Sequence, residues 1–178
     1  MALFLTCNAG SSSLKLALYQ LDSGVPRRLA ATNLDHPADL PAALQGWWDA
    51  QTAALGSAAT APVAIAHRVV HGGDQFTQPV VIDPAVMASL WHLAPLAPLH
   101  QPAALGLIEA LAKTFPVTTQ IACFDTAFHQ TQPPLHRYLG LPQAMHQAGI
   151  KRYGFHGLSY QSIAGQLPTL LGKVAEGR

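Results

Sequence analysis

Three apolar runs, each followed by a polar or glycine-containing loop, constrain the fold of this 178-residue chain more than any other feature. They are short enough to be buried strands and cover residues 3–7, 61–70 and 118–124. Helix-like segments follow or separate them, at residues 37–55, 84–93, 103–113 and 158–167, with Pro168 expected to end or kink the last. This alternation predicts an α/β or α+β layered fold.

The first strand also predicts a hairpin. Residues 14–21 read as a second strand and residues 28–33 as a third, and a turn of small polar residues at positions 8–13 joins the first two. The expected start of the sheet is therefore antiparallel, with a Gly/Ser-rich tip.

Composition narrows the class of protein. Hydrophobic residues make up 49% of the chain and charged residues 11%, which excludes a disordered protein. The net charge of +1 and the lack of a basic face argue against a nucleic-acid partner, and we expect no membrane span or signal peptide. Cys7 and Cys123 lie in apolar strands, which favours reduced thiols in a cytoplasmic protein but leaves a disulfide open.

The loop NAGSSSLK, at residues 8–15, is a candidate phosphate site. Small residues let backbone N–H groups approach an anion closely, and the hydroxyls of Ser11 and Ser13 and the ammonium of Lys15 add donors. The spacing is not that of a Walker A loop. An ordinary polar hairpin tip is the alternative.

Two strand ends carry candidate site residues: an arginine that can hold a carboxylate or phosphate, and an aspartate that can position a metal-bound water, a nucleophile or a proton. Arg68 precedes Gly72 and Gly73 in HRVVHGG, and an arginine there can hold a carboxylate through two N–H groups. Asp125 follows the third apolar run, where α/β folds place ligand-binding groups. The alternatives are a structural ion pair for the arginine and a helix-capping or turn role for the aspartate.

Two further segments contain histidines in unusual settings. His100 ends the apolar, proline-stiffened loop that includes Leu99, and such a loop suits either a small-substrate pocket or a rigid connector. His156 stands in YGFHG just before a helix, where it could contact developing negative charge or be purely structural.

Taken together and in order, five strings make the chain resemble the acetate kinases. They are NAGSSSLK (8–15), HRVVHGG (67–73), APLH (97–100), FDTAFHQT (124–131) and YGFHG (153–157). The resemblance extends from residue 3 to about residue 172. It implies a ribonuclease-H-like, actin-like ATPase fold, with a mixed sheet flanked by helices in a first domain at residues 1–127 and the beginning of a second domain at residues 128–178.

The resemblance also implies an activity: reversible transfer of the γ-phosphoryl group of ATP to acetate, giving ADP and acetyl phosphate by direct in-line displacement. Mg²⁺, with Mn²⁺ as an alternative, is the implied cofactor, and a cytoplasmic homodimer is the implied state of the complete enzyme. The implied roles are catalysis by Asp125 and His156, metal binding by Asn8, phosphate binding by Ser11, Ser13 and Lys15, and substrate binding by Arg68, Val70, Leu99, His100 and Phe155.

Some positions depart from the family's pattern. Leu158-Ser159-Tyr160 stands where Thr-Ser-His is usual, and Gln101 replaces an asparagine. Family chains are about twice as long, so we expect this chain by itself to be inactive. A propionate kinase, or a non-catalytic module that binds a carboxylate or phosphate, remains an alternative.

Overall fold

A six-stranded mixed sheet organises the first part of the chain in the computed structural model, which describes residues 2–10, 13–35 and 37–172. Its strands, in chain order, are β1 (Leu3–Ala9), β2 (Leu14–Asp22), β3 (Val25–Leu34), β4 (Ala64–Val69), β5 (Val80–Val81) and β6 (Thr119–Phe124). Their spatial order is β3-β2-β1-β4-β6-β5. The first three pair antiparallel, as the hairpin pattern predicts, whereas β1, β4 and β6 run parallel.

Five α-helices complete the described chain: α1 (Leu40–Ala54), α2 (Pro84–His92), α3 (Gln101–Thr114), α4 (Gln143–Gln147) and α5 (Gly157–Leu171). The first two begin at aspartates whose carboxylates accept a backbone N–H, Asp39 from Ala42 at 3.0 Å and Asp83 from Val86 at 2.7 Å. Such caps satisfy N–H groups that the first helical turn leaves unpaired. A proline in the first turn of each helix adds the fixed φ angle that suits this position.

The core lies between one face of the sheet and the helices. Alternate strand residues point to this face, as the period of two requires, and pack against α1 and α3. The larger cluster joins Leu5, Leu16 and Leu18 to Trp48 and Leu111. A second cluster forms around the end of β6, where Phe124 stacks on Phe76 with ring centroids 5.2 Å apart.

The opposite face of the sheet is more open and more polar. Its residues pair across the strands in register, so that Asn8 lies beside Lys15 on β2, and Arg68 beside Cys123 on β6. All four are half-buried or exposed. The residues that alternate with them, such as Cys7 and His67, are buried among the core residues.

Several predicted boundaries need correction. Pro168 was predicted to end or kink the last helix, and it does not end it, because α5 continues to Leu171 with the proline inside. The two-residue β5 was not predicted, and neither were α4 and the short 3-10 helices at Ala94–Leu96, Ala127–Thr131 and Pro134–Arg137. These segments are too short to show a periodic pattern. Within the described residues, no helix is both long and apolar enough to cross a bilayer.

Candidate active site

Three predicted site residues meet at the carboxyl ends of the parallel strands. Arg68 on β4 donates from Nε and Nη2 to Asp125 Oδ2, at 3.0 and 2.6 Å, and from Nη1 to Asn8 Oδ1 at 3.2 Å. Strands that run parallel end at the same edge of the sheet, and open α/β sheets bind ligands there. The ion pair that was the structural alternative for Arg68 is therefore present, and it is made to another predicted site residue.

The Arg68 guanidinium is only partly used by these contacts. Of its five N–H donors, three are engaged by Asp125 and Asn8. The arginine side chain is 29% exposed, whereas that of Asp125 is 2% exposed. The buried carboxylate thus fixes one edge of the guanidinium, and two N–H donors of this partly exposed side chain remain for an anion.

The open face beside Arg68 forms a cavity of about 770 Å³. Asn8, Lys15 and Arg68 line it together with Asn33 of β3 and Leu158 of α5. Three cationic side chains (Lys15, Arg28 and Arg68) and two amides line this volume, and no carboxylate is among its lining residues. The cavity therefore suits a small anion.

The predicted phosphate loop is described in part. Gly10 N–H donates to the carbonyl of Ser13 at 2.9 Å, which closes the hairpin tip, and Lys15 is exposed at the start of β2. Ser11, also predicted to contact phosphate, lies outside the described residues. Of the two predicted phosphate ligands that the structure describes, Lys15 lines the cavity and Ser13 does not.

A buried glutamine holds the segment that follows β4. Gln101, 0% exposed, accepts the His71 N–H at 3.1 Å and donates to the His71 carbonyl at 3.0 Å. His71 Nδ1 in turn accepts the Gly73 N–H at 2.9 Å, and burial lowers the His71 pKa, so the ring is neutral. Gln101, the departure from the family's pattern, thus fixes the loop after Arg68. No sequence signal marks a glutamine as buried.

The loop that carries His156 is attached to the end of β6. Gly157 N–H donates to the carbonyl of Asp125 at 2.9 Å, and a Cβ at Gly157 would overlap this carbonyl oxygen. His156 has φ 58° and ψ 22°, a left-handed conformation that costs a non-glycine residue about 1–2 kcal/mol. Its side chain is exposed. Strain of this kind clusters at functional sites.

The predicted acetate-pocket residues are not gathered around the cavity. Leu99 is 81% exposed, and His100 is exposed at the beginning of α3. Phe155 is 37% exposed and packs edge-on against the His71 ring, with centroids 5.7 Å apart. Val70 is half-buried at the end of β4. None of these four lines the cavity beside Arg68, so their shared role stays a prediction.

The predicted metal site offers oxygen atoms as ligands. Asn8 Oδ1, at the cavity, is an oxygen ligand of the kind that Mg²⁺ prefers, and Mg²⁺ is usually bound together with substrate phosphates. The Asp125 carboxylate is buried and bonded to Arg68. No group of three or more acidic, histidine or cysteine side chains among residues 2–10, 13–35 and 37–172 could hold a metal alone. The residues fit a metal bound jointly with a phosphate.

Comparison with known proteins supports a family assignment. The Acetokinase family profile matches residues 32–177. An acetate kinase of Nitrobacter hamburgensis is 38% identical over 203 aligned positions, covering 98% of this chain and 49% of the relative. An acetate kinase of Deinococcus radiodurans is 40% identical over 188 positions, covering 94% of this chain and 47% of the relative.

Solved structures agree with the sequence relatives. Porphyromonas gingivalis acetate kinase superposes with a TM-score of 0.77 at 29% identity, covering 97% of this chain and 49% of that one. A Francisella tularensis propionate kinase gives 0.78 at 29% identity, with 96% and 49% covered. The predicted actin-like fold is thereby confirmed, and the chain spans about half the length of the relatives it matches. By its profile match and its fold, the chain belongs to the acetokinase family.

Proposed function

We propose that this chain supplies the carboxylate-binding half of an acetate kinase, which transfers the γ-phosphoryl group of ATP to acetate. The observation that carries the proposal is the Arg68 guanidinium, fixed by Asp125 and Asn8 and partly open to a cavity that Lys15 also lines. The fit of such a site to a small carboxylate, in a chain of this family, supports the assignment.

In the proposed reaction, the outward N–H groups of Arg68 bind the acetate carboxylate and aim one of its oxygens at the γ-phosphorus. The acetate oxygen attacks in line, the bond from phosphorus to the β,γ-bridging oxygen breaks, and ADP leaves. Phosphoryl transfer depends mainly on positioning and on neutralising charge, so Arg68, Lys15 and His156 are proposed to contact the transferring group and the phosphates. Asp125 is proposed to hold Arg68 in place.

The remaining finer features are also proposals. Asn8 would hold Mg²⁺, or Mn²⁺, which when bound would neutralise charge on the phosphate oxygens. A first actin-like domain is proposed to end near residue 127, with a second beginning at residue 128. The complete enzyme is proposed to act in the cytoplasm as a homodimer.

A second candidate is propionate kinase, since the Francisella tularensis protein matches the fold as well as the acetate kinase does. One methylene in an apolar pocket changes selectivity by only about 1–3 kcal/mol. We therefore expect some turnover of propionate in either case, and the ratio of kcat/KM for acetate and propionate separates the two.

The test joins this chain to the C-terminal half of the Deinococcus radiodurans acetate kinase and measures acetyl phosphate as its hydroxamate, with Mg²⁺, ATP and acetate. The chain by itself is assayed in parallel, and the sequence predicts no turnover for it. Arg68→Ala is expected to lower kcat and raise the KM for acetate, since a transition-state contact of this kind is worth roughly 3–4 kcal/mol.

The Arg68→Lys variant distinguishes a role of Arg68 in binding acetate from a role in the ion pair with Asp125. Removing Arg68 altogether leaves Asp125 buried and unpaired, which can unfold a protein. Lysine keeps the charge but not the planar fork, so it is expected to preserve folding by circular dichroism and to recover little activity. A folded Arg68→Lys hybrid with near-normal kcat/KM for acetate would reduce Arg68 to a structural ion-pair residue. An inactive unmodified hybrid would favour the non-catalytic binding module.

A further inference from the structure

The His129 ring packs against the loop that carries Phe155 and His156. The proposed reaction gives this histidine no role. Its ring Nε2 is 2.9 Å from the Phe155 carbonyl oxygen. A carbonyl only accepts hydrogen bonds, so Nε2 carries the proton and donates. His129 follows Asp125 by four residues, in the 3-10 helix Ala127–Thr131.

The backbone of the loop fits closely over the His129 ring. A Cβ at Gly154 would overlap that ring, so the glycine is what allows the two to stack. On its other sides the ring meets Phe128 and Tyr160 edge-on, with centroids 5.4 and 5.7 Å away. The imidazole is therefore held in one orientation, and that orientation aims its N–H at the loop.

The loop is attached at two points on either side of His156. His129 holds the Phe155 carbonyl, and the Asp125 carbonyl holds the Gly157 N–H. Between them, His156 keeps its left-handed φ of 58°. A strained residue persists only where its surroundings over-determine it, and these two hydrogen bonds are the attachments adjacent to it.

We propose that His129 is a positioning residue for His156 and Phe155, and that it acts through the Phe155 carbonyl rather than by touching substrate. Its effect on the reaction rests on the proposed function, whereas its effect on the loop does not. Because His129 and Asp125 belong to one short segment, the end of β6 would set the distance between the Arg68–Asp125 pair and the His156 imidazole.

The first experiment measures the loop in the 178-residue chain itself. Amide hydrogen exchange at Gly157 reports whether the loop is docked, because that N–H is bonded to the Asp125 carbonyl. We expect His129→Ala to speed this exchange by about tenfold or more, as local opening becomes easier. His129→Gln, which retains an N–H donor, should recover part of the protection. ¹⁵N NMR of the ring should show the tautomer protonated at Nε2.

A matched control is available seven residues along the chain. His136 is exposed, and its side chain makes no hydrogen bond to another described residue, so His136→Ala should leave Gly157 exchange unchanged. Unchanged Gly157 exchange in a folded His129→Ala chain, or a ring protonated at Nδ1 alone, would overturn the proposal. If His129→Ala fails to fold, the glutamine variant and the tautomer measurement still decide it.

The second experiment uses the hybrid enzyme. His129→Ala is expected to lower kcat by about ten- to a hundredfold, the scale of a small displacement of catalytic groups, while the KM for ATP stays within about twofold and His129→Gln restores part of kcat. Faster Gly157 exchange with unchanged kcat would refute the positioning role and leave His129 a loop-stabilising residue. An inactive unmodified hybrid would instead count against the proposed function, and the exchange result would stand by itself.

Discussion

The buried hydrophobic side chains of the described chain all lie before Asp125, whereas most large apolar side chains of residues 128–172 are exposed. Residues before position 128 form a sheet with two packed clusters. In residues 128–172, Gly157 alone among the described positions is fully buried, and it is buried against the Asp125 carbonyl. The first region is held by its own core, and the second by a few specific contacts to the first.

The largest expected difference between the regions is in the free energy of unfolding that is lost when a leucine is replaced by alanine. Leu18 is 0% exposed in the core and Leu170 is 72% exposed in α5. Leu18→Ala should lower the free energy of unfolding by about 2–5 kcal/mol, and Leu170→Ala by no more than about 0.5 kcal/mol. Urea unfolding measures both. Equal costs would contradict the contrast between the regions.

Low pH should destabilise the first region, because His67 is buried as a neutral ring and must be protonated. Its Nε2 donates to Gln120 Oε1 at 2.7 Å while Nδ1 is buried without a partner, and burial lowers the His67 pKa to about 4. The unfolded chain binds this proton at its ordinary pKa of 6.5, so stability should fall as pH drops from about 6.5 to 4, by about 3 kcal/mol in total.

Urea unfolding at several pH values tests this expectation. His67→Gln removes the titrating group, so the variant's stability should vary less across the same pH range, whatever its stability at neutral pH. An unchanged pH dependence would assign the effect to other groups.

Adding a methyl group at Gly157, where the two regions meet, should lower the free energy of unfolding somewhat less. Gly157→Ala would place a Cβ against the Asp125 carbonyl, whereas a Cβ at Gly165, in the same helix, meets no atom within 4 Å. We expect Gly157→Ala to destabilise the chain by about 1–3 kcal/mol, chiefly by releasing residues 153–171. Limited proteolysis should cut the variant in this segment first. Equal resistance of the Gly157 and Gly165 variants would show that the junction is not tightly packed.

The smallest effect is expected from the ionic contact between the regions. Asp74 pairs with Lys151 and, at 3.8 Å, with Arg137, but its side chain is 54% exposed. Asp74→Asn should therefore cost about 0–1 kcal/mol, and less at high salt. Thermal unfolding at low and high salt measures it. A loss of stability well above 1 kcal/mol that shrinks at high salt would mean that charge, and not packing, joins the two regions.

Much of the sheet follows from the sequence, and less of the site does. Apolar runs predict β1, β2, β4 and β6, because burial on a sheet face leaves a clear pattern. The ends of the parallel strands β1, β4 and β6 place Asn8, Arg68 and Asp125 together. The Gln101 contacts and the His129 contact could not be predicted. Each joins a side chain to a backbone group about 26–30 residues away, and such pairs leave no periodic signal in one sequence.

Residues 64–69 of β4 serve two purposes at once. Ile65, His67 and Val69 are buried in the core, and Ala66 and Arg68 between them line the cavity. Inserting or deleting one residue in this strand would exchange the two sets, moving the guanidinium into the helices and the imidazole into the cavity. Length variation among descendants of this gene should therefore be confined to loops such as residues 55–63. Within β4, evolution is limited to substitution.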